Sequence, residues 1–564
     1  MDKIWLKSYQ PGVPHNVDAQ RYASLATLFE DAAQRFRTLT AFTSMGSSLT
    51  YGELDRHSRN LAAFFQMRGL VKGDRVAVMM PNLLQYPVAL IAALRAGLVV
   101  VNCNPMYTSR ELEHQLKDSG ARAIVVLENF AHTLEEVVAR TSVDTVITTE
   151  VGDLFAPVKR LTTNLVVKYG KKMVPPWHID GSIPLTTALA HGQRVPFIPV
   201  DLAPEDLAFL QYTGGTTGVP KGAMLAHVNL LANLEQASAW MASQFTPGSD
   251  IVVMPLPLYH VFALTVTLVT SLKWGANHIL IANPRELRGL LAELKKTPFT
   301  LIVGVNTLYR AIADAPGFNE INTSALKVML AGGMAVQRLA SDKWKALTGR
   351  PIIEGYGLTE TSPFVSCNRL DTQTYTGTVG LPFPSTEVSI RDDDGIELPL
   401  GETGEVCVRG PQVMKGYWNR PEETSNVMYP DGFLRTGDMG YIDEAGFLKL
   451  TDRKKDMIVV SGFKVYPNEV EEVAMAHPGV LEAVAIGMPD ERTGQAVRLV
   501  VVRKEPTLTA HDLMAHCRKH LTAYKLPRSI VFRSTPLPKS AVGKVLRRLV
   551  RDEEANQAGQ EAIA

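Results

Sequence analysis

The run YTGGTTGVPKG, Tyr212 to Gly222, holds four glycines, three threonines and one lysine. Backbone N–H groups at Gly214, Gly215 and Gly218 can surround phosphate oxygens, because no Cβ blocks their approach. Thr213, Thr216 and Thr217 add hydroxyl donors, and Lys221 adds a point charge. The string departs from the common nucleotide loop G-x-x-x-x-G-K-[ST]: Pro220 stands at the second glycine and Gly222 at the Ser/Thr. Its composition alone leaves two readings open, a phosphate cradle or a flexible Gly/Thr turn.

The elements around the loop set its place. PEDLAFLQYT before it reads as a strand and HVNLLANLEQ after it as a helix. The first half of the chain alternates in the same way. Asp74–Pro81, Leu98–Asn104 and Ala123–Leu127 read as buried strands. Pro87–Arg95 reads as a helix closed by Gly97, and Ser109 as the cap of a helix to Asp118 stopped by Gly120. Thr50 and Glu53 fit a capping box. Alternation of this kind predicts parallel sheets covered by helices. From Thr378 the texture changes to short strands with turns, which predicts an antiparallel, barrel-like unit. After Asp452–Asp456 it changes again: a helix after Asn468, strands VLEAVAIGMP and AVRLVVVRK, and a helix capped by Thr509 predict a small α+β domain. The expected division is 1–451 and 452–564, with helices over two sheets plus a distorted antiparallel barrel in the larger part.

The bulk numbers are those of a globular enzyme. The chain has 564 residues, 46% hydrophobic and 20% charged. With 58 Lys and Arg against 57 Asp and Glu, the net charge of +1 gives no reason to expect nucleic acid. Cys103, Cys367, Cys407 and Cys517 lack metal spacing and read as reduced thiols. The N-terminus has no apolar signal core and no apolar run reaches membrane-spanning length, so a cytoplasmic location is expected. One stretch resists the scheme. Lys159, Arg160, Lys168, Lys171 and Lys172 interleave with Leu161, Leu165, Val166, Val167 and Met173. It reads either as a solvated basic helix face or as a segment lying on the inner face of an anionic membrane.

The loop and five further strings resemble, in order, the AMP-forming, adenylate-making superfamily of acyl-CoA synthetases, peptide-synthetase adenylation domains and firefly-type luciferases. The five are AGGMAV (Ala331–Val336), EGYGLTET (Glu354–Thr361), RTGD (Arg435–Asp438), DRKKDMIVVSGFKVYPNEVE (Asp452–Glu471) and PLPKSAVGKVLRR (Pro536–Arg548). DGFLRTGDMGYIDEAGFLKLTDRKKD is similar to the fatty acyl-CoA synthetase signature. NCNPMYTSRELEHQLKDSGA is similar to the bacterial long-chain-fatty-acid–CoA ligases. The resemblance implies a two-step reaction. A fatty carboxylate attacks the α-phosphorus of ATP, giving acyl-AMP and pyrophosphate, and the thiol of coenzyme A then displaces AMP. Two anions meet in the first step, so cationic screening is the main need.

The same resemblance implies roles. Lys544 would bridge carboxylate and α-phosphate; without that context it is a solvated lysine. Glu360, otherwise a surface acid, would hold Mg²⁺ with Thr213. Asp438, otherwise part of a turn, would accept the ribose hydroxyls, and Arg453 would contact ribose or phosphate. Tyr356, otherwise core, would stack on adenine beside Gly332 and Gly333, with Gly357 and Thr359 in the same turn. Asp452 would be a hinge about which the tail rotates, withdrawing Lys544 and bringing Gly462, Phe463 and Lys464 to the thiol route. Leu256–Leu272 would wall an acyl slot with Tyr259 and His260 at its mouth, and Gly304 and Gly332 would leave room for methylenes. Some relatives carry a gating tryptophan where Leu264 stands, which puts an aromatic gate in doubt. Medium-chain or aryl acids, and an ATP and acyl binder without turnover, are the competing readings. Peripheral membrane contact and a homodimer stay open.

Overall fold

A computed structural model describes residues 3–213, 220–540 and 543–561, with the side chains of 557–561 excepted. Expectations for Gly214, Gly215, Thr216, Thr217 and Gly218 fall outside the described residues.

Two large sheets form the first part. One runs Ile183–Pro184, Thr145–Thr149, Ala123–Leu127, Arg75–Met79, Val99–Asn102, Leu207–Thr213, Lys221–Ala226. It is parallel until the last pair, where Thr213 lies opposite Lys221 across an antiparallel turn. The other has nine strands. Ile353–Gly357, Val328–Ala331, Leu301–Gly304, Ile251–Met254, Asn277–Leu280 and Thr40–Ser44 run parallel within it, with antiparallel strands at both edges. Strands such as Ala123–Leu127 are buried along their whole length, as β-branched runs covered on both faces should be.

Local signals place the helices, with small corrections. Thr50 and Glu53 form the capping box of Tyr51–Met67. The helix Ser109–Ser119 is capped by Thr108 with Glu111, one residue before the expected cap, because the box needs an acid three residues on. The helix expected from Pro87 begins at Gln85, since a proline in the first turn has no N–H to lose. For the same reason the helix expected after Asn468 starts at Pro467.

The expected barrel-like unit takes the form of a four-stranded antiparallel sheet, Glu387–Arg391, Gly404–Arg409, Leu434–Ile442, Leu448–Arg453. Beyond it, Gly494–Arg503 pairs with Val480–Asp490, Ile458–Val460 and Ser529–Arg533 in a separate sheet. That sheet has its own core of Ile458, Val465, Leu499, Val501, Leu513 and Cys517. The four cysteines are buried free thiols. Among the described residues no helix is long and apolar enough to cross a membrane.

Candidate active site

Tyr356 sits at the carboxyl end of the strand Ile353–Gly357, where ligands gather in open parallel sheets. Its hydroxyl donates to Asp438 Oδ2 at 2.7 Å. The other carboxylate oxygen of Asp438 takes Arg453 Nε at 2.8 Å, and the two residues face each other across adjacent strands of the four-stranded sheet. Three motifs far apart in sequence therefore meet at one buried carboxylate.

Lys544 joins them from the other end of the chain. Lys544 is exposed as a residue, but the protein crowding its amine, together with the Arg453 charge, pushes that amine down to about 8, against the pull of Asp438 and Asp456. Its turn is held locally: the Ser540 N–H donates to the Lys544 carbonyl at 2.8 Å, and the Lys544 N–H donates to Ser540 Oγ at 3.2 Å. Gly543 has φ +85°, and a Cβ there would stand 3.0 Å from Thr307 Oγ1, so the turn rests on the start of the helix Asn306–Ala313.

Glu360 follows Tyr356 in the turn Thr359–Thr361 and is half-buried. One carboxylate oxygen accepts from Tyr417 Oη at 2.7 Å, and the second takes no hydrogen bond from a described residue. The Tyr417 ring lies under Lys221 Nζ at 5.3 Å, and Lys221 is ion-paired with Glu423. Thr213 ends its strand opposite Lys221, whose strand packs on the Thr359–Thr361 turn. Gly333 has φ +78° with open space on its Cβ side, as a surface approached by a flat ring requires. Gly357 cannot carry a Cβ without striking the Pro363 carbonyl.

The segment expected to wall an acyl slot is buried from Phe262 to Val269, and its turns widen to a π-helix, a form frequent at functional sites. His260 has its imidazole pushed down to about 4 by burial, so it is neutral near pH 7. Burial pushes the Tyr259 phenol up to about 12. Leu264 is fully buried. The room left by the expected glycines is used inside the protein. A Cβ on Gly332 would lie 2.9 Å from the Phe262 ring, and one on Gly304 would meet the Tyr309 ring at 3.1 Å.

Gly462 is exposed in the tight turn after Ile458–Val460, and Phe463 and Lys464, also exposed, open the strand Phe463–Val465 that pairs with it. Phe463 stacks on Tyr524. Asp452 is the next-to-last residue of the last strand of the antiparallel sheet, opposite Met439. Burial pushes its carboxyl up to about 6, against the opposing charge of Arg547.

Sequence reasoning missed four residues here. Arg547, three positions after Lys544, bonds Asp452 at 3.2 Å and Glu471 at 2.8 Å, with Asp456 at 3.5 Å. Tyr417 fixes Glu360, and Phe262 covers Gly332. Glu354 accepts the Val336 N–H at 3.1 Å, tying AGGMAV to EGYG; burial pushes its carboxyl up to about 8. Arg547 was within a quoted motif, but nothing in its spacing names its partners. Arg547→Ala would remove the one cation shared by three acids, and we expect the C-terminal unit to lose about 3 kcal/mol. Chemical denaturation followed by far-UV circular dichroism reads this; an unchanged first transition would remove Arg547 from that role.

A family model described as AMP-binding enzyme matches residues 29–418, and one described as AMP-binding enzyme C-terminal domain matches 469–544. A long-chain-fatty-acid–CoA ligase of Escherichia coli O6:H1 is 51% identical over 563 residues, covering 100% of both chains. A feruloyl-CoA synthase of an Amycolatopsis species is 34% identical, covering 91% of this chain and 95% of that one. The crystal structure of ATP-bound MatB from Rhodopseudomonas palustris matches with a TM-score of 0.80 at 30% identity, covering 94% of this chain and 98% of that one.

Proposed function

The chain belongs to the AMP-binding enzyme family, and from that premise we propose a division of labour among its residues for one reaction. The protein is a ligase that activates long-chain fatty acids with ATP and transfers the acyl group to coenzyme A.

Adenylation brings a carboxylate to a triphosphate, and bringing the charges together is the obstacle. Lys544 is the cation that bridges them. The observation that carries this is its place beside Arg453 and Asp438, whose charges act directly on its amine. Asp438 accepts the ribose hydroxyls through the lone pairs that Tyr356 and Arg453 leave over, and those two hold its carboxylate still. Tyr356 offers its ring to adenine beside Gly333. Gly214, Gly215, Thr216, Thr217, Gly218 and Lys221 take the phosphates, which requires Lys221 to exchange Glu423 for the nucleotide.

The free oxygen of Glu360 and the Thr213 hydroxyl fit Mg²⁺, which favours few protein ligands alongside phosphate oxygens. When bound, the ion supplies charge neutralisation on the phosphates. Rotation about Asp452, between 1–451 and 452–564, would then withdraw Lys544 and carry Gly462–Lys464 to the thiol route. The location that fits is cytoplasmic, with contact at the inner face of the membrane; a homodimer rests on the resemblance alone.

Substrate length gives the test. Each methylene buried along Phe262–Val269 is worth ~0.8 kcal/mol, about fourfold in kcat/KM. Pyrophosphate exchange should therefore climb from octanoate through decanoate and dodecanoate to palmitate, with ferulate poorest. A flat series, or a peak at octanoate or ferulate, would favour the medium-chain or aryl reading. Tight ATP binding without exchange for any acid would favour the non-catalytic binder.

A further inference from the structure

The stretch 157–173 is built inside out for a surface helix. Its helix Pro157–Leu165 continues as a π-helical turn, Val166–Gly170, and neither part holds a buried residue. The side turned to the protein is largely polar. Asn164 Nδ2 donates to Glu150 at 2.8 Å and its Oδ1 accepts the Gly152 N–H at 2.8 Å. Lys168 pairs with Glu128 at 3.1 Å, and the Asn129 side chain donates to the Met173 carbonyl at 2.9 Å. The apolar residues point the other way. Val158 is 78% exposed, Leu161 62%, Leu165 47%, Val166 51%, Tyr169 67% and Met173 53%. A helix stabilised by the core alone would turn those side chains inward.

Positions 158, 161, 165 and 169 follow helical spacing, so they form one stripe rather than scattered exposed side chains. Cations flank it. The stretch carries Lys159, Arg160, Lys168, Lys171 and Lys172 and no acid, in a chain whose net charge is only +1. Lys159 is tied to the Met45 carbonyl at 2.5 Å, and Met45 adds its own half-exposed side chain beside the stripe. Arg160, Lys171 and Lys172 are exposed and form no ion pair with a described residue.

We infer that this face docks on an anionic lipid leaflet, with Val158, Leu161, Leu165 and Tyr169 entering the headgroup and acyl boundary. Charge complementarity selects that occupant. A second copy of the same face would set the exposed Arg160, Lys171 and Lys172 against their own copies, whereas an anionic leaflet meets all three. Apolar side chains ringed by lysine and arginine are what an interfacial helix presents to lipid, and the long lysine stems let the ammonium groups rise to the phosphates while the apolar side chains descend. The surface also suits the chemistry, because long-chain acids partition into bilayers.

Vesicle co-sedimentation tests it. The probes are vesicles of phosphatidylglycerol with phosphatidylethanolamine, and vesicles of phosphatidylcholine alone. The unmodified protein should bind the anionic vesicles at least tenfold more tightly, and lose most of that at high salt. Leu161→Glu with Tyr169→Glu, and separately Lys171→Glu with Lys172→Glu, should each lower binding at least tenfold. Pyrophosphate exchange with octanoate in free solution should stay unchanged in both, which shows that they fold. Equal binding by the variants, or none by the unmodified protein, would overturn the inference. So would sedimentation velocity showing a dimer that these variants convert to monomer, because the face would then belong to a second copy. Vesicle binding reads the surface and pyrophosphate exchange reads the chemistry, so the two can fail separately.

Discussion

Lys544→Ala should slow acyl-adenylate formation by ~10²–10³-fold, as loss of one preorganised charge-stabilising group does. Thioester formation from preformed acyl-adenylate and coenzyme A should stay near the unmodified rate. The split follows from placement. Lys544 lies beside Asp438 and Arg453 in this arrangement of the chain, so its charge acts where carboxylate and triphosphate meet. Once the adenylate exists, that repulsion is gone. Pyrophosphate exchange and single-turnover thioester formation measure the halves separately. Equal losses in both, or normal exchange in a folded variant, would remove Lys544 from the role.

The same residue gives a pH signature. The amine in the folded protein is lowered from 10.5 to about 8. The charged form therefore dominates below pH 8 and is lost as pH rises through it. The kcat/KM for adenylation should fall across that range, while Lys544→Arg should be slower but flat there, because a guanidinium keeps its proton. A Lys544→Arg profile that still falls near pH 8 would assign the titration to another group.

Asp438→Ala should raise the KM for ATP by about two orders of magnitude. The carboxylate is the meeting point of Tyr356 and Arg453, and truncating one partner of a buried, hydrogen-bonded charge pair costs ~2–5 kcal/mol. Part of that loss is ribose recognition and part is the guanidinium left without its anion. Asp438→Asn separates them, since it keeps an acceptor but removes the charge, and should fall between. Equilibrium binding of ATP by calorimetry decides the matter. Unchanged affinity in Asp438→Ala would show that the ribose binds elsewhere.

Much of this protein was legible along the chain. Alternating apolar strands and capped helices gave the helix-covered parallel sheets, because hydrophobic period and capping chemistry act within a few residues. Thr50 with Glu53 caps where its spacing said it would, and Thr509 caps the helix expected to follow it. The motif order gave the family, which the comparisons bear out. The helix cap at Thr108 and the helix start at Gln85 shifted by a residue or two, where neighbouring residues could each serve.

Other features came only with the folded chain. Asp438 meets Arg453 because strand register sets them opposite, and meets Tyr356 because two different sheets abut. Phe262 faces Gly332 closely enough to leave no room for a Cβ, which spacing could not reveal. Arg547 reaches Asp452 across 95 positions, and a long-range ion pair has no period to read. The basic stretch was ambiguous for the same reason. Its interleaved residues defined two faces, but only packing against Glu150, Glu128 and Asn129 decided which face the protein keeps and which it leaves to its surroundings.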